Sequence, residues 1–72
     1  MKNLSVAKVI EVIGGSENGW ENAIKDAVRE ASKTVDNITG IEVLNLTANV
    51  ANGEVKEYKA NVRLAFAIRE NR

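Results

Sequence analysis

The sequence contains no cysteine and no histidine. The chain can therefore form neither a disulfide bond nor a thiolate metal site. Hydrolytic or acyl-transfer catalysis would have to use a serine, a threonine or a lysine as its nucleophile, and the serines are Ser5, Ser16 and Ser32. No general base is paired with any of them in the sequence, so the pattern indicates a protein that is not an enzyme.

An excess charge of one sign is also missing. Ten basic residues balance ten acidic ones, whereas nucleic-acid binders normally carry a basic excess gathered on one face. The N-terminal residues do not have the apolar core and small-residue cleavage site of a signal peptide. No apolar run approaches the length of a membrane span. We therefore predict a cytoplasmic protein without a nucleic-acid or membrane partner.

The chain is short, at 72 residues, and we predict a single domain over residues 1–72. A domain of this size obtains only a few kcal/mol of net stability from its own core. Since disulfide bonds are excluded, self-association is the remaining source of stability. We therefore expect the chain to have copies of itself as partners.

The first half of the sequence predicts a strand and a helix. A strand over about 4–13 is rich in Val and Ile and is followed by Gly14-Gly15, which predicts a turn. A helix over about 17–36 follows, with Ser16 or Asn18 as cap and Asn18–Glu21 as a capping box. Its apolar stripe, with Trp20 as the large core anchor, is Trp20, Ile24, Ala27, Val28, Ala31 and Val35.

The second half predicts a hairpin. Asn52-Gly53 lies between two alternating runs and favours a type I′ turn. The strands cover about 40–51 and 54–69. One face of the first contains Leu44, Leu46, Ala48 and Val50; one face of the second contains Tyr58, Ala60, Val62, Leu64, Phe66 and Ile68. The opposite face of the last strand contains Glu57, Lys59, Asn61, Arg63 and Arg69.

These elements predict an α+β fold of β-α-β-β order, with a three-stranded mixed or antiparallel sheet partly wrapped around one helix. The right-handed crossover rule makes the first two strands parallel and leaves the third antiparallel, between them. The last strand would span roughly 50 Å, although a compact domain of this length has a radius of gyration of only about 11 Å. The strand must overhang the domain, bend, or pair with another copy.

Metal binding would have to rely on oxygen ligands, which restricts the ion to Ca²⁺, Mg²⁺ or a similar hard cation. The candidate ligands are Asp36-Asn37 and Glu17-Asn18, although such residues beside helix ends usually cap or turn the chain. A weaker signal is Gly14-Gly15-Ser16 before the helix, where unpaired N–H groups could hold an anion.

The combined pattern resembles the dodecin family. The resemblance covers roughly residues 8–68 and rests on three motifs: K-V-x-x-x-I-G-x-S at the first strand, A-x-x-x-A-x-x-T-V-x-N at the helix end, and Y-x-x-x-V-x-x-x-F in the last strand. It implies a β-α-β-β subunit assembled into a hollow homododecamer of cubic 23 symmetry. Such an assembly would accommodate both the small core and the long last strand.

The resemblance also implies a flavin site at subunit junctions. In flavin-binding dodecins a tryptophan at the start of the second strand stacks on the isoalloxazine ring, and a glutamine after the tyrosine of the third strand binds the pyrimidine edge. These positions correspond to Gly40 and Lys59, and Asn45 lies where the family often has an acidic residue near the ribityl chain. The implied cofactor is riboflavin, FMN or FAD, held at a weakened site.

An alternative function follows from the differences at Gly40 and Lys59 from the flavin-binding pattern. Family members without the tryptophan have been regarded as cation-binding or as not binding flavin. The chain would then form a dodecamer that binds a calcium-type cation (Ca or Mg), or a purely structural shell. Its subunit contacts would include Arg63, Arg69 and Glu42.

Overall fold

The computed structural model describes residues 6–68. It contains a strand β1 (Ala7–Ser16), a helix α1 (Trp20–Ala31) and two further strands, β2 (Ile38–Ala51) and β3 (Glu54–Ala67). The order β-α-β-β agrees with the prediction. Residues 4 and 5 of the predicted first strand, and residue 69 of the predicted last strand, lie outside the described residues.

The three strands form one sheet in the order β1-β3-β2, and β3 is antiparallel to both of its neighbours. The first two strands are thus parallel to each other with the third between them, as the crossover rule predicts. The turn between β2 and β3 has positive φ at both central residues, 55° at Asn52 and 77° at Gly53. Positive φ at both positions is what a type I′ turn requires.

The subunit is elongated, with extents of 59 × 20 × 14 Å and a radius of gyration of 15.3 Å. A compact chain of this length would have a radius of gyration of about 11 Å. The cause is a mismatch of lengths: a 14-residue strand spans roughly 46 Å, whereas the 12-residue helix spans roughly 18 Å. The long strand was expected to overhang the domain, to bend, or to pair with another copy. In the subunit, it extends beyond the end of the helix.

The core lies between α1 and the sheet, where the helix packs against β1 and β3. Its fully buried members are small: Ala23, Ala27, Ala60, Val62 and Leu64. Three of them, Ala60, Val62 and Leu64, alternate along β3 and lie on the helix side of the sheet. Only two side chains in this core are larger than alanine.

The predicted turn at Gly14-Gly15 is wrong, because β1 continues through both glycines to Ser16. Gly14 pairs with Ala60 and lies directly under the helix. A Cβ atom at this position would lie 2.1 Å from the carbonyl oxygen of Ala23 and 2.9 Å from the Cβ of Ala27. Gly14 therefore permits close helix–sheet packing rather than a turn or an anion site at a helix end.

The helix is shorter than predicted at both ends. It begins at Trp20 after Gly19, whose φ is 150°, and no side chain caps it. The capping box from Asn18 to Glu21 does not form; the Asn18 N–H instead donates to Ser16 Oγ at 2.9 Å. After Ala31 the chain continues in single turns, which preserve the helical spacing of apolar residues and explain the overestimate.

Trp20 is not the predicted core anchor. Its side chain is 39% exposed, its indole Nε1–H donates to the Thr47 carbonyl at 2.8 Å, and its ring meets Tyr58 edge-to-face at 4.9 Å between centroids. The indole thus connects the start of α1 to β2. The buried helix positions are Ala23 and Ala27 instead.

β2 contains three irregularities in its pairing with β3, between Ile38 and Gly40, between Val43 and Asn45, and between Asn49 and Val50. The second one makes Leu44 an extra residue, so Val43 rather than Leu44 lies opposite Val62. The prediction that Leu44 shares a regular face with Leu46 is therefore wrong. A simple alternation along the strand cannot reveal such bulges.

The helix-side surface of β2 is left uncovered. Its apolar strip consists of Ile41, Val43 and Leu46, which are 42%, 42% and 46% exposed. These residues lie opposite Leu64, Val62 and Ala60, the buried part of β3. The strip is therefore a continuation of the core along the sheet, to the side of α1.

Within residues 6–68, no helix has both the length and the apolar character needed to cross a membrane.

Candidate functional site

The three predicted ligand-binding residues lie on one surface, the face of the sheet that points away from α1. We call this surface the open face. Gly40 pairs with Ala65, Asn45 with Asn61, and Lys59 with Thr47. Odd-numbered residues of β3 alternate with the buried Ala60, Val62 and Leu64, so they point to the opposite side.

Within one subunit these residues are far apart. The pairs containing Gly40 and Lys59 are separated by six residues of β3, which corresponds to roughly 20 Å along the strand. Asn45 lies between them. A single planar ring cannot contact both ends of this series, so one subunit does not bring the predicted residues together around one ligand. A shared ligand would require these residues from different copies of the chain.

Gly40 borders a shallow apolar recess of about 200 Å³. The recess is lined by Val9, Gly40, Ile41, Glu42, Arg63 and Ala65. A Cβ atom at Gly40 would meet only the Cβ of Ala65, at 3.9 Å, which is ordinary van der Waals contact. Packing within the subunit therefore does not require glycine here. The missing side chain leaves the recess open, and β2 already begins two residues earlier, at Ile38.

An ion-pair network crosses the open face next to this recess. The Arg63 guanidinium donates to Glu42 on β2 at 3.3 Å and to Glu11 on β1 at 3.2 Å. Arg63 and Glu42 were candidates for contacts between subunits, but here they are paired within the chain. Glu11 was not predicted. The antiparallel register of β1 and β3 places it opposite Arg63, and this register cannot be read from either strand alone.

Polar groups occupy the middle and far parts of the open face. The Asn61 side-chain amide donates to Asn45 Oδ1 at 2.8 Å, so Asn61 fixes the orientation of Asn45. Lys59 is half-buried between Gly15 and Thr47. Among residues 6–68, Lys59 forms no ion pair. Its ammonium group offers three donors and no acceptor.

The acidic residues do not form a cation site within the described subunit. No group of three or more potential acidic ligands gathers anywhere in residues 6–68. On the helix, Asp26 is paired with Arg29, and Glu30 is paired with Lys33 at 3.0 Å. The predicted ligands Asp36-Asn37 and Glu17-Asn18 belong to no such group.

Known proteins resemble this chain over nearly its whole length. The dodecin family model matches residues 6–69. The dodecin of Thermus thermophilus is 34% identical over 65 residues, which cover 90% of this chain and 94% of that protein. The structure of a dodecin from Streptomyces coelicolor matches with a TM-score of 0.89 and 30% identity, covering 99% of this chain and 100% of the other.

A third relative has calcium in its name. The structure of calcium dodecin from Mycobacterium tuberculosis, described as calcium chelating, matches with a TM-score of 0.78 and 33% identity, covering 94% of this chain and 97% of the other. The β-α-β-β subunit, the family model and these relatives agree. The chain therefore belongs to the dodecin family.

Proposed function

We propose that this chain is a non-enzymatic storage protein that assembles into a homododecamer and binds a flavin, or a related small ligand, at junctions between subunits. The supporting observation is the placement of Gly40, Asn45 and Lys59 on one open face at separations too large for one ring. A site built from several copies reconciles that spacing with a common ligand. The flavin would be riboflavin, FMN or FAD, and the location is expected to be the cytoplasm.

The uncovered apolar strip on β2 supports self-association. Ile41, Val43 and Leu46 are large apolar residues that stay 42%, 42% and 46% exposed in the subunit. Covering such residues contributes about 25 cal/mol per Å² of apolar surface removed from water. A second copy of the chain would supply the covering surface that the short helix lacks.

Flavin binding should be weak because the chain has neither the stacking tryptophan nor the glutamine of flavin-binding dodecins. Aromatic stacking on a ring contributes about 1 to 3 kcal/mol, which corresponds to roughly one to two factors of ten in affinity. Gly40 supplies no such surface. Lys59 can donate to ring carbonyls but cannot accept from the ring N–H. We therefore expect a protein that sequesters flavin at high concentration only.

Restoring both contacts should create tight binding. In a Gly40→Trp, Lys59→Gln variant, the new Cβ atom at position 40 meets nothing closer than the Cβ of Ala65, at 3.9 Å. The affinity for riboflavin should rise by roughly 10- to 100-fold. Titration with quenching of riboflavin fluorescence measures the change.

The control for this variant is Gly40→Leu, Lys59→Met, which adds apolar side chains at both positions without an aromatic ring or an amide group. Equal affinities of the two double variants would contradict the proposed positions of the site. A variant that assembles normally but gains no affinity would do the same.

A dodecamer that binds calcium-type cations is the second candidate function. It is favoured by the similarity to calcium dodecin over 94% of this chain. Without bound cation, the same assembly would be a purely structural shell. Because residues 6–68 contain no acidic cluster in one subunit, ions would bind only to the assembled form.

Calorimetric titration with CaCl₂ and MgCl₂ tests this second candidate. We expect heat from the assembled protein with at least one of the two ions. A flat titration of the assembled protein with both ions would leave the structural shell as the alternative to flavin storage.

A further inference from the structure

The recess beside Gly40 has the character of one half of a ring-binding site. Val9, Gly40 and Ala65 form one row across the three strands, and none of them has a polar side-chain atom. The volume of about 200 Å³ is below the roughly 300 to 1,000 Å³ of complete ligand pockets. One recess can therefore hold one face or edge of a ring, with the remainder covered by another copy.

Arg63 gives this recess a polar rim. It lines the recess, and its guanidinium is anchored from both sides by Glu42 and Glu11. A guanidinium has five N–H donors. The two carboxylates each receive one observed hydrogen bond, so N–H groups remain for a ligand acceptor. Two anchors across three strands also reduce the entropy that would be lost on binding.

The charge of the rim restricts the ligand. Two carboxylates and one guanidinium sum to one negative charge, located one row, or roughly 7 Å, from the apolar row. This distance is within the Debye length of about 8 Å at physiological salt. Lys59 is four residues of β3 away from Arg63, roughly 13 Å, and compensates little. A phosphate group close to this rim would be repelled.

We propose that Arg63, held by Glu11 and Glu42, is a ligand-binding residue, and that the recess prefers an uncharged heteroaromatic ring with carbonyl acceptors over a phosphorylated one. This inference rests on the proposed flavin storage and names the ligand class. The ring lies on the row of Val9, Gly40 and Ala65, and its carbonyl accepts from Arg63. Riboflavin and FMN are suitable probes because they share the ring and differ by the phosphate.

The first experiment titrates the assembled full chain with riboflavin and with FMN, at low salt and at about 0.5 M salt. At the higher salt concentration, charges several ångströms apart are largely screened. Riboflavin should bind about threefold more tightly than FMN at low salt, and the difference should disappear at high salt. In Glu42→Gln the rim is neutral while Arg63 keeps its donors, so the preference for riboflavin should shrink at low salt as well.

A second experiment isolates the guanidinium. Arg63→Met keeps the apolar stem and removes the donors, and it should weaken binding of both flavins by roughly tenfold. Arg29→Met is the matched control, because Arg29 is also paired with a carboxylate but lies on α1, away from the open face. The mass of each variant in solution shows that assembly is retained.

The possible results distinguish a failure of the ligand preference or of the role of Arg63 from a failure of flavin storage. Equal binding of riboflavin and FMN at low salt, or tighter binding of FMN, overturns the preference for an uncharged ring while flavin storage stands. Equal losses in Arg63→Met and Arg29→Met overturn the role of Arg63. Failure of both flavins to bind overturns flavin storage itself, and this inference with it.

Discussion

Gly14→Ala is expected to lower the free energy of unfolding by about 3 kcal/mol, the upper end of the usual cost of overpacking. The new methyl group would lie 2.1 Å from the Ala23 carbonyl oxygen and 2.9 Å from the Cβ of Ala27. Both obstacles belong to α1 and cannot rotate away, so the helix must move off the sheet. Urea unfolding followed by circular dichroism measures the loss at a fixed chain concentration.

Gly15→Ala is the matched control, since it makes the same change one residue further along β1. The new Cβ would lie 2.7 Å from Glu57 Oε2, the end of a flexible side chain on the open face. Glu57 can rotate away at the cost of its 3.3 Å hydrogen bond from Asn49. Alanine also loses less backbone entropy than glycine in a strand. We expect a change within about 1 kcal/mol, and equal losses at both glycines would refute the close helix packing.

Leu64→Ala is the second substitution with a large expected effect. Leu64 is fully buried, and it and Val62 are the largest fully buried side chains in the described part of the chain. Truncating a buried leucine costs about 2 to 5 kcal/mol through lost transfer energy and the cavity left behind. Since the core contains so few large side chains, we expect a loss at the upper end of this range. Urea unfolding should show it equally at every chain concentration.

Leu46→Ala provides the comparison, with the same atoms removed from the uncovered strip on β2. Leu46 is about half exposed in the subunit, so the loss within one subunit should be about 1 kcal/mol or less. If another copy covers the strip, the main effect is on association. The assembled form of Leu46→Ala should then dissociate at a higher chain concentration than the wild type, which sedimentation velocity measures. A Leu46→Ala protein that loses as much as Leu64→Ala at all concentrations would contradict this division.

Much of the fold follows from local sequence. The alternation in the last strand identified the face that contains the buried Ala60, Val62 and Leu64, although Ile68 of the same predicted face is exposed. Asn52-Gly53 specified its own turn. The crossover rule then left one arrangement of three strands.

The parts that the sequence did not reveal depend on contacts between elements. Gly14-Gly15 looks like a turn, and only the position of α1 shows that Gly14 must lack a Cβ atom. The helix was overestimated because the single turns after Ala31 keep the spacing of a helix. Trp20 was assigned to the core on size, whereas its indole N–H finds a carbonyl of β2.

The sequence named residues for a candidate site but did not give their arrangement in space. The family resemblance gave Gly40, Asn45 and Lys59, and the strand register places all three on the open face. Their separation, and the pairing of Arg63 with Glu11 and Glu42, depend on how three strands align. Ligand binding at these positions remains a proposal that the flavin titrations test.

One subunit is not expected to persist alone, because only five small or medium residues are buried in its described part and an apolar strip remains uncovered. Sedimentation velocity at low micromolar concentration tests this directly. We predict a single species of about twelve times the 7.8 kDa chain mass. A folded, compact species of one chain mass would contradict the account.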